Sequence, residues 1–386
     1  MKKRPIQAVL IVALIVTMMQ IPVSGQDVEW ENKNPPMSPL ARRGAGMAYD
    51  SNSDLVVLFS GRNLDLPSPY GDTWTYDVDT NTWDNVTPDV SPPPREMMGE
   101  LRGVYGFEYD SVADRVIFFG GVRQLDPFVC WNDTWAFDCE TQTWENKTPA
   151  VSPRGTTHHD MAFDGGSGVS VLYGGMCDNR VASAETWSFN YGTNTWTNMS
   201  PPVNPGALYG FAMAYDGESD RIILFGGWDA TLGEDRNQTW AYDVDTNSWT
   251  NMNPPVAPSK RGRFRMTYHT GWDRVVLFGG DAHDPSTFYS DTWLYDYNTN
   301  TWTELTLETH PSSRVYAGLT YDGESESVIL FGGLYSDDTV FGDTWVLSGS
   351  IPTTTPPPII DVYGLILIGA SAVVIIIVLV VFIRRR

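Results

Sequence analysis

Short apolar runs alternate with clusters of Asp, Asn, Gly and Pro through most of this chain. In one stretch Phe211-Ala-Met-Ala-Tyr-Asp216 is followed by Arg221-Ile-Ile-Leu-Phe-Gly-Gly227, then Gln238-Thr-Trp-Ala-Tyr-Asp243, then Asn247-Ser-Trp-Thr-Asn251. Four brief β-rich segments divided by turn residues predict a four-stranded antiparallel sheet. Runs such as Leu55-Val-Val-Leu-Phe59 are apolar at every position, as expected for a strand packed on both faces. Helical periodicity is sustained only at the two ends, so the body is expected to be all-β.

The pattern repeats. A tryptophan preceded by threonine stands at Trp74, Trp135, Trp187, Trp240, Trp293 and Trp345, at intervals of 61, 52, 53, 53 and 52 residues. A period of that length marks a repeat architecture. A second tryptophan follows nine residues later at Trp83, Trp144, Trp196, Trp249 and Trp302, and Trp345 alone lacks one. Its counterpart lies at the opposite end of the chain, where Trp30-Glu-Asn-Lys-Asn-Pro-Pro matches Trp249-Thr-Asn-Met-Asn-Pro-Pro. The strand around Trp30 is therefore expected to pair with that around Trp345 and to close a ring, leaving no long open edge.

Glycine doublets follow the second strand of five units, at 120–121, 174–175, 226–227, 279–280 and 332–333, with Ser60-Gly61 in the first. Together with the aromatic two residues after the first Trp and the second Trp seven residues beyond it, they make the chain resemble the kelch-repeat family of β-propellers, over roughly residues 28–347. The resemblance implies a six-bladed all-β propeller with four antiparallel strands per blade. It implies loops between second and third strands that emerge on the same face as the connections between blades.

The ends indicate a location. Lys2, Lys3 and Arg4 precede an apolar run from Ala8 to Met19 and small residues at Ser24 and Gly25, which reads as a secretory leader over 1–25. An uncleaved anchor is the rival reading, although the run is short for a span. Residues 362–383 are apolar and uncharged and precede Arg384, Arg385 and Arg386, the pattern of a membrane helix with a cytoplasmic tail at 384–386. Between them lie a body at 26–350 and a Pro/Thr stalk at 351–361. The formal charge is −22, and six of the 25 basic residues sit at the two ends, so the body is more acidic still. Such a surface repels nucleic acid and anionic lipid heads.

Several residue sets carry candidate chemistry. Arg42, Arg102, Arg261 and Arg314 recur five residues before the aligned Met, Phe or Leu of a first strand, and are expected near one mouth of a central channel. There they would either seat carboxylate or phosphate groups or pair with local Asp and Glu. The loops between second and third strands carry aromatics suited to a protein or glycan ligand, among them Trp131, Trp228 and Tyr289. In Asp77-Val-Asp-Thr-Asn81 the oxygens resemble the start of a calcium loop, but the required later Gly and Glu are missing, so a hairpin turn is expected. Sequons stand at Asn85, Asn132, Asn146, Asn198 and Asn237.

Cys130 and Cys139 flank one strand and are too far apart to bridge, whereas Cys177 occupies the corresponding loop of the next unit; a Cys130–Cys177 disulfide with Cys139 free is expected. The adjacent His158 and His159 point to opposite strand faces, a poor metal pair. Neither a metal, a cofactor nor a catalytic set is indicated. The reading is a membrane-anchored extracellular recognition or adhesion module with a monomeric ectodomain, binding a protein or glycan; the alternative is a cell-surface glycan-active hydrolase or oxidase on the same scaffold.

Overall fold

The computed structural model describes residues 28–351, apart from 64, 67, 96–104, 126–127, 178–179, 283–286 and 336–338. The proposed leader, most of the stalk and the apolar run 362–383 lie outside the described residues. Among the described residues there is no helix long and apolar enough to cross a membrane.

Among the described residues, six four-stranded antiparallel sheets carry the repeat. We number them I to VI by their first strands: Gly46–Asp50, Gly106–Asp110, Asp160–Asp164, Ala212–Asp216, Arg265–His269 and Gly318–Asp322. In sheets I to V the strands follow chain order. Sheet VI takes its fourth strand, Glu29–Asn32, from the other end of the chain; Trp30 lies opposite Leu347 and Asn32 opposite Trp345. The first strands neighbour one another in the cycle I–II–III–IV–V–VI–I, which is the ring of a β-propeller. Beyond a half-buried first residue in sheets I to V, the second strands are buried, with Val56, Val57, Leu58 and Phe59 fully enclosed, which explains why their sequences do not alternate.

The paired tryptophans hold each sheet to the one before it. The second tryptophan is buried and donates its indole N–H to the threonine that precedes the first tryptophan of the preceding sheet. Trp83 bonds Thr344 at 3.0 Å, Trp144 bonds Thr73 at 2.9 Å, and Trp196 bonds Thr134 at 2.9 Å. Trp249 bonds Thr186 at 3.1 Å and Trp302 bonds Thr239 at 2.9 Å. Trp30 supplies the sixth bond, to Thr292 at 3.1 Å. The same indoles pack on the aromatic ring that ends the preceding sheet's second strand, from Trp302 on Phe225 at 4.9 Å to Trp30 on Phe278 at 5.4 Å.

The glycine doublets make a second set of joints. Gly121, Gly175, Gly227, Gly280 and Gly333 donate their N–H groups to the backbone carbonyls of Thr156, Leu208, Arg261, Arg314 and Arg42 in the following unit, at 2.8 to 2.9 Å. A Cβ on the first glycine would meet the same carbonyl, for example at 2.4 Å between Gly332 and Arg42, and all these glycines have positive φ. In these five sheets a side chain at the first position would strike that carbonyl and both positions disfavour one by conformation, whereas in sheet I Ser60 takes the first position with φ 61°.

The Asp77–Asn81 segment is a hairpin turn. Asp77 accepts the N–H of Thr80, Asn81 has positive φ, and the Asn81 side chain bridges Tyr76 and the Lys33 carbonyl. Trp272, outside the repeated pairs, has a local role. Sheet V ends its first strand with His269 where the other five have aspartate, and Trp272 stacks on that imidazole at 3.9 Å while donating its backbone N–H to Nδ1.

Deleting residues 26–34 removes one indole bond, one aromatic pair and the edge strand of sheet VI, and should lower the melting temperature by several degrees; an unchanged melting curve would remove the closing strand from the account. Trp144→Phe keeps the ring packing but strands the Thr73 hydroxyl, and chemical denaturation should read a loss of about 1–2 kcal/mol.

Candidate functional site

Antiparallel order puts the loops between second and third strands and the links between sheets on one face, which we term the loop face. The first and third hairpin turns lie on the opposite face. The sequence-derived arginines belong to the loop face, but their donors are occupied. Arg42 grips Asp72 with two bonds at 2.6 and 2.9 Å, and Arg261 and Arg314 hold Asp291 and Asp343 in the same way. Each also bonds two backbone carbonyls, as Arg42 does with Leu40 and Ser60, and each is fully or almost fully buried. The paired aspartate in turn accepts the indole N–H of the first tryptophan, at Trp74, Trp293 and Trp345.

Burial opposes the charge on Asp72 and Asp343, but the arginine bonds outweigh it and hold both carboxyls below the usual range. Arg102 lies outside the described residues; in sheet II the equivalent place is filled by Arg95, which pairs with Asp133 at 2.9 Å. These arginines thus fasten loops to sheets.

Loop aromatics form the outer cover of the same arrangement. Tyr289 lies 3.9 Å over Arg261, Tyr70 4.2 Å over Arg42 and Phe341 4.0 Å over Arg314. Trp131 covers both Arg95 and Arg123. Trp228 differs: it is half-buried in a small three-stranded sheet, opposite Tyr209 and Asp235. The geometry brings Tyr289 and Trp131 to arginines and does not gather the named residues into one pocket.

Closer to the axis is a group that the sequence reading missed. Gly44, His158, Gly210, Arg263 and Tyr316 occupy equivalent positions, one in each of sheets I, III, IV, V and VI, all with φ between 57° and 69°. Their backbones form a belt: Gly44 N–H bonds Tyr316 carbonyl, Tyr316 bonds Arg263, Arg263 bonds Gly210, and Gly210 bonds His158, at 2.7 to 3.0 Å. Three of the five carry large side chains despite the left-handed backbone. Arg263 holds Asp281 with bonds of 2.7 and 2.6 Å and faces Tyr316 at 5.9 Å, while His158 lies about 6 Å from Tyr209 and Tyr316. Burial disfavours the Arg263 charge, but Tyr316 and Asp281 prevail and raise its pKa. The spacing of 52 to 53 residues from His158 to Tyr316 was legible, yet only glycine recurs, at Gly44 and Gly210, so no motif marks the positions.

Cys130 and Cys177 are disulfide-bonded across sheets II and III, with Cα atoms 6.0 Å apart. Cys139 is reduced and buried, and burial pushes its thiol up to about 12. His159 accepts the Gly106 N–H at 2.8 Å, and burial lowers its pKa to about 3. Among the described residues no group of three His, Cys, Asp or Glu side chains could hold a metal ion. All five sequon asparagines are exposed.

Residues 23–205 and 171–354 match the family model of the KLHDC2/KLHL20/DRC7 kelch-repeats domain. The chain belongs to the kelch-repeat family. Its relatives include Kelch domain-containing protein 3 of Bos taurus, 28% identical over 306 residues that cover 73% of this chain and 75% of that protein. The Homo sapiens protein of the same name is 28% identical over 276 residues, covering 68% and 67%. Kelch repeats generally mediate protein binding.

Two outcomes follow. Arg261→Ala leaves Asp291 without its guanidinium and should destabilise the fold by about 3–5 kcal/mol in urea unfolding. Glu108, buried in the centre of the ring, has its carboxyl pushed up to about 8 by desolvation, against an ordinary value of 4.5. The native state therefore holds a proton that the unfolded chain has released between these values, and stability falls as pH rises from about 4.5 to about 8. Glu108→Gln should flatten that part of the melting profile and raise the melting temperature at pH 8 relative to the parent.

Proposed function

We propose that this kelch-repeat protein is a recognition module of the cell surface: a six-bladed propeller carried outside the membrane on a short Pro/Thr stalk, binding a protein or glycan through the axial part of its loop face. The observation that carries this reading is the belt of left-handed residues. Gly44 and Gly210 meet that conformation at no steric cost, whereas His158, Arg263 and Tyr316 hold it against a strain of roughly 1–3 kcal/mol each. The scaffold needs only backbone N–H and C=O groups there. Of these side chains His158 and Tyr316 are buried beneath the surface, and Arg263, half-buried, is the one a ligand can reach, held in place by the other two.

Trp228, with its half-buried indole, and the outer faces of Trp131 and Tyr289 extend this surface, while Arg42, Arg261 and Arg314 set the loops that present it. The family favours a protein as partner. The surface location is supported by the leader-like residues 1–25, the apolar run 362–383 with its terminal arginines, the disulfide and the acidic composition. Asn85, Asn132, Asn146, Asn198 and Asn237 would then be open to glycosylation, and the body would stand as a monomer.

Probing an array of surface proteins and glycans with the full-length chain should yield ligands whose binding drops at least tenfold when Arg263 and Tyr316 are both replaced by alanine, with the melting temperature still cooperative. Binding that survives this double replacement would move the contact surface away from the axis. Protease protection of the chain in sealed membrane vesicles tests the orientation, and digestion of the propeller from the cytoplasmic side would exclude it.

A further inference from the structure

On the opposite face the first strands enclose a shaft of about 390 Å³. Its lining runs from Gly46, Tyr105 and Gly318 to the turn residues Ser111, Gly217 and Thr270, so its mouth lies among the first hairpin turns, away from the loop face. The mid-section is apolar, with Met47, Met161, Met213, Met266, Phe107 and Leu319 at equivalent positions. Two residues further along stand Tyr49, Tyr109, Phe163, Tyr215, Tyr268 and Tyr321, an aromatic at every one of the six sheets. Four of the tyrosine hydroxyls donate to carboxylates, those of Asp54, Asp114, Asp220 and Asp273, at 2.8 to 2.9 Å.

The polar groups inside are few. Arg265 lies 3.7 Å from Asp160 and donates to the Ala317 carbonyl, and Asp160 also accepts the Met213 N–H. Glu108 is 7% exposed and accepts the Ser170 hydroxyl at Oε1, whereas its Oε2 has no hydrogen-bond partner. The other charged groups near it are Asp110 on its own strand and Asp160 on the next first strand. Arg115, Arg221 and Arg274, the arginines that open the second strands on this face, are paired with Asp138, Asp243 and Asp296.

We propose that this shaft binds a small organic cation, an alkylammonium or methylated ammonium group, which enters past the tyrosines and sets its charge against Oε2 of Glu108. Three features converge on that ligand class. Aromatic faces attract a cation, and their hydroxyls are already polarised toward carboxylates. The local field is negative with its arginines committed. A buried carboxyl oxygen without a partner is unfavourable, and an incoming N–H or N–CH₃ group relieves it. The volume matches a ligand of metabolite or side-chain size. Because Glu108 holds a proton at neutral pH, cation binding releases it. This site is independent of the loop-face reading and survives or fails separately from it.

Calorimetry with the full-length chain at pH 7 tests the proposal, using n-butylammonium and tetramethylammonium against uncharged n-butanol. At least one ammonium ion should bind tenfold or more tightly than the alcohol, with a heat that differs between phosphate and Tris buffers as Glu108 deprotonates. Glu108→Gln should abolish both the preference and the buffer dependence. No binding of either cation, equal binding of n-butanol, or an undiminished preference in Glu108→Gln would each overturn it. Should that variant fail to fold, Tyr268→Leu at the mouth provides the second arm: tetramethylammonium affinity must fall at least threefold, and unchanged affinity refutes the site.

Discussion

Each sheet of this protein depends on its neighbour through one contact, a buried tryptophan that donates its indole N–H to a threonine of the preceding sheet and packs on that sheet's aromatic ring. The interaction is made six times, and the sixth requires the two ends of the body to meet. A single such joint is worth little: about 1 kcal/mol for the hydrogen bond and a similar amount for the aromatic pair. Its importance lies in closure. Because Trp30 bonds Thr292 while Trp83 bonds Thr344, sheet VI is held on both sides by strands from opposite ends of the chain. No sheet in the cycle presents an unpaired flank.

That joint also explains the second level of organisation. The threonine that receives the indole is followed by the first tryptophan and, in every sheet but IV, where Gln238 stands, preceded by an acidic residue, so Asp72, Asp291 and Asp343 stand where an arginine from the incoming link can reach them. Aromatic loop residues then cover the guanidinium groups. Sheets III and IV carry Thr156 and Leu208 in place of the arginine, and their links are fixed by the disulfide and by the small sheet around Leu208 and Trp228 respectively. The loop face is thus fastened by several means on one ring, which leaves its axial residues free to differ from sheet to sheet.

The two mouths of the ring have different chemistry for a related reason. On the turn face the hairpins repeat closely, and the result is a rim of tyrosines backed by aspartates. On the loop face the belt of backbone bonds repeats but its side chains do not, giving His158, Arg263 and Tyr316 next to two glycines. One mouth offers a nearly symmetric, acidic, aromatic shaft. The other is asymmetric in its side chains, with His158 and Tyr316 buried and Arg263 partly exposed.

Repeat length, strand composition, turn chemistry and the displaced Trp30 were all legible in the sequence, because each rests on local propensity or on spacing along the chain. The same holds for the pairing of Cys130 with Cys177, which follows from where two loops must lie. For the arginines the sequence left two roles open, seating an anion or pairing with local acids. Arg42 is separated from Asp72 by 30 residues, and only the folded sheet shows that its donors are spent there and not on a ligand. Arg263, two residues from Arg261, likewise spends Nε and Nη2 on an aspartate, Asp281, but does so from a left-handed backbone. Glu108 sits where other sheets have alanine or threonine, and its missing partner becomes apparent only when six first strands surround it. What the sequence determined by itself was the scaffold, since that is written once per repeat. Which side chains remain for function is a matter of which contacts survive assembly, and tertiary structure alone decided that.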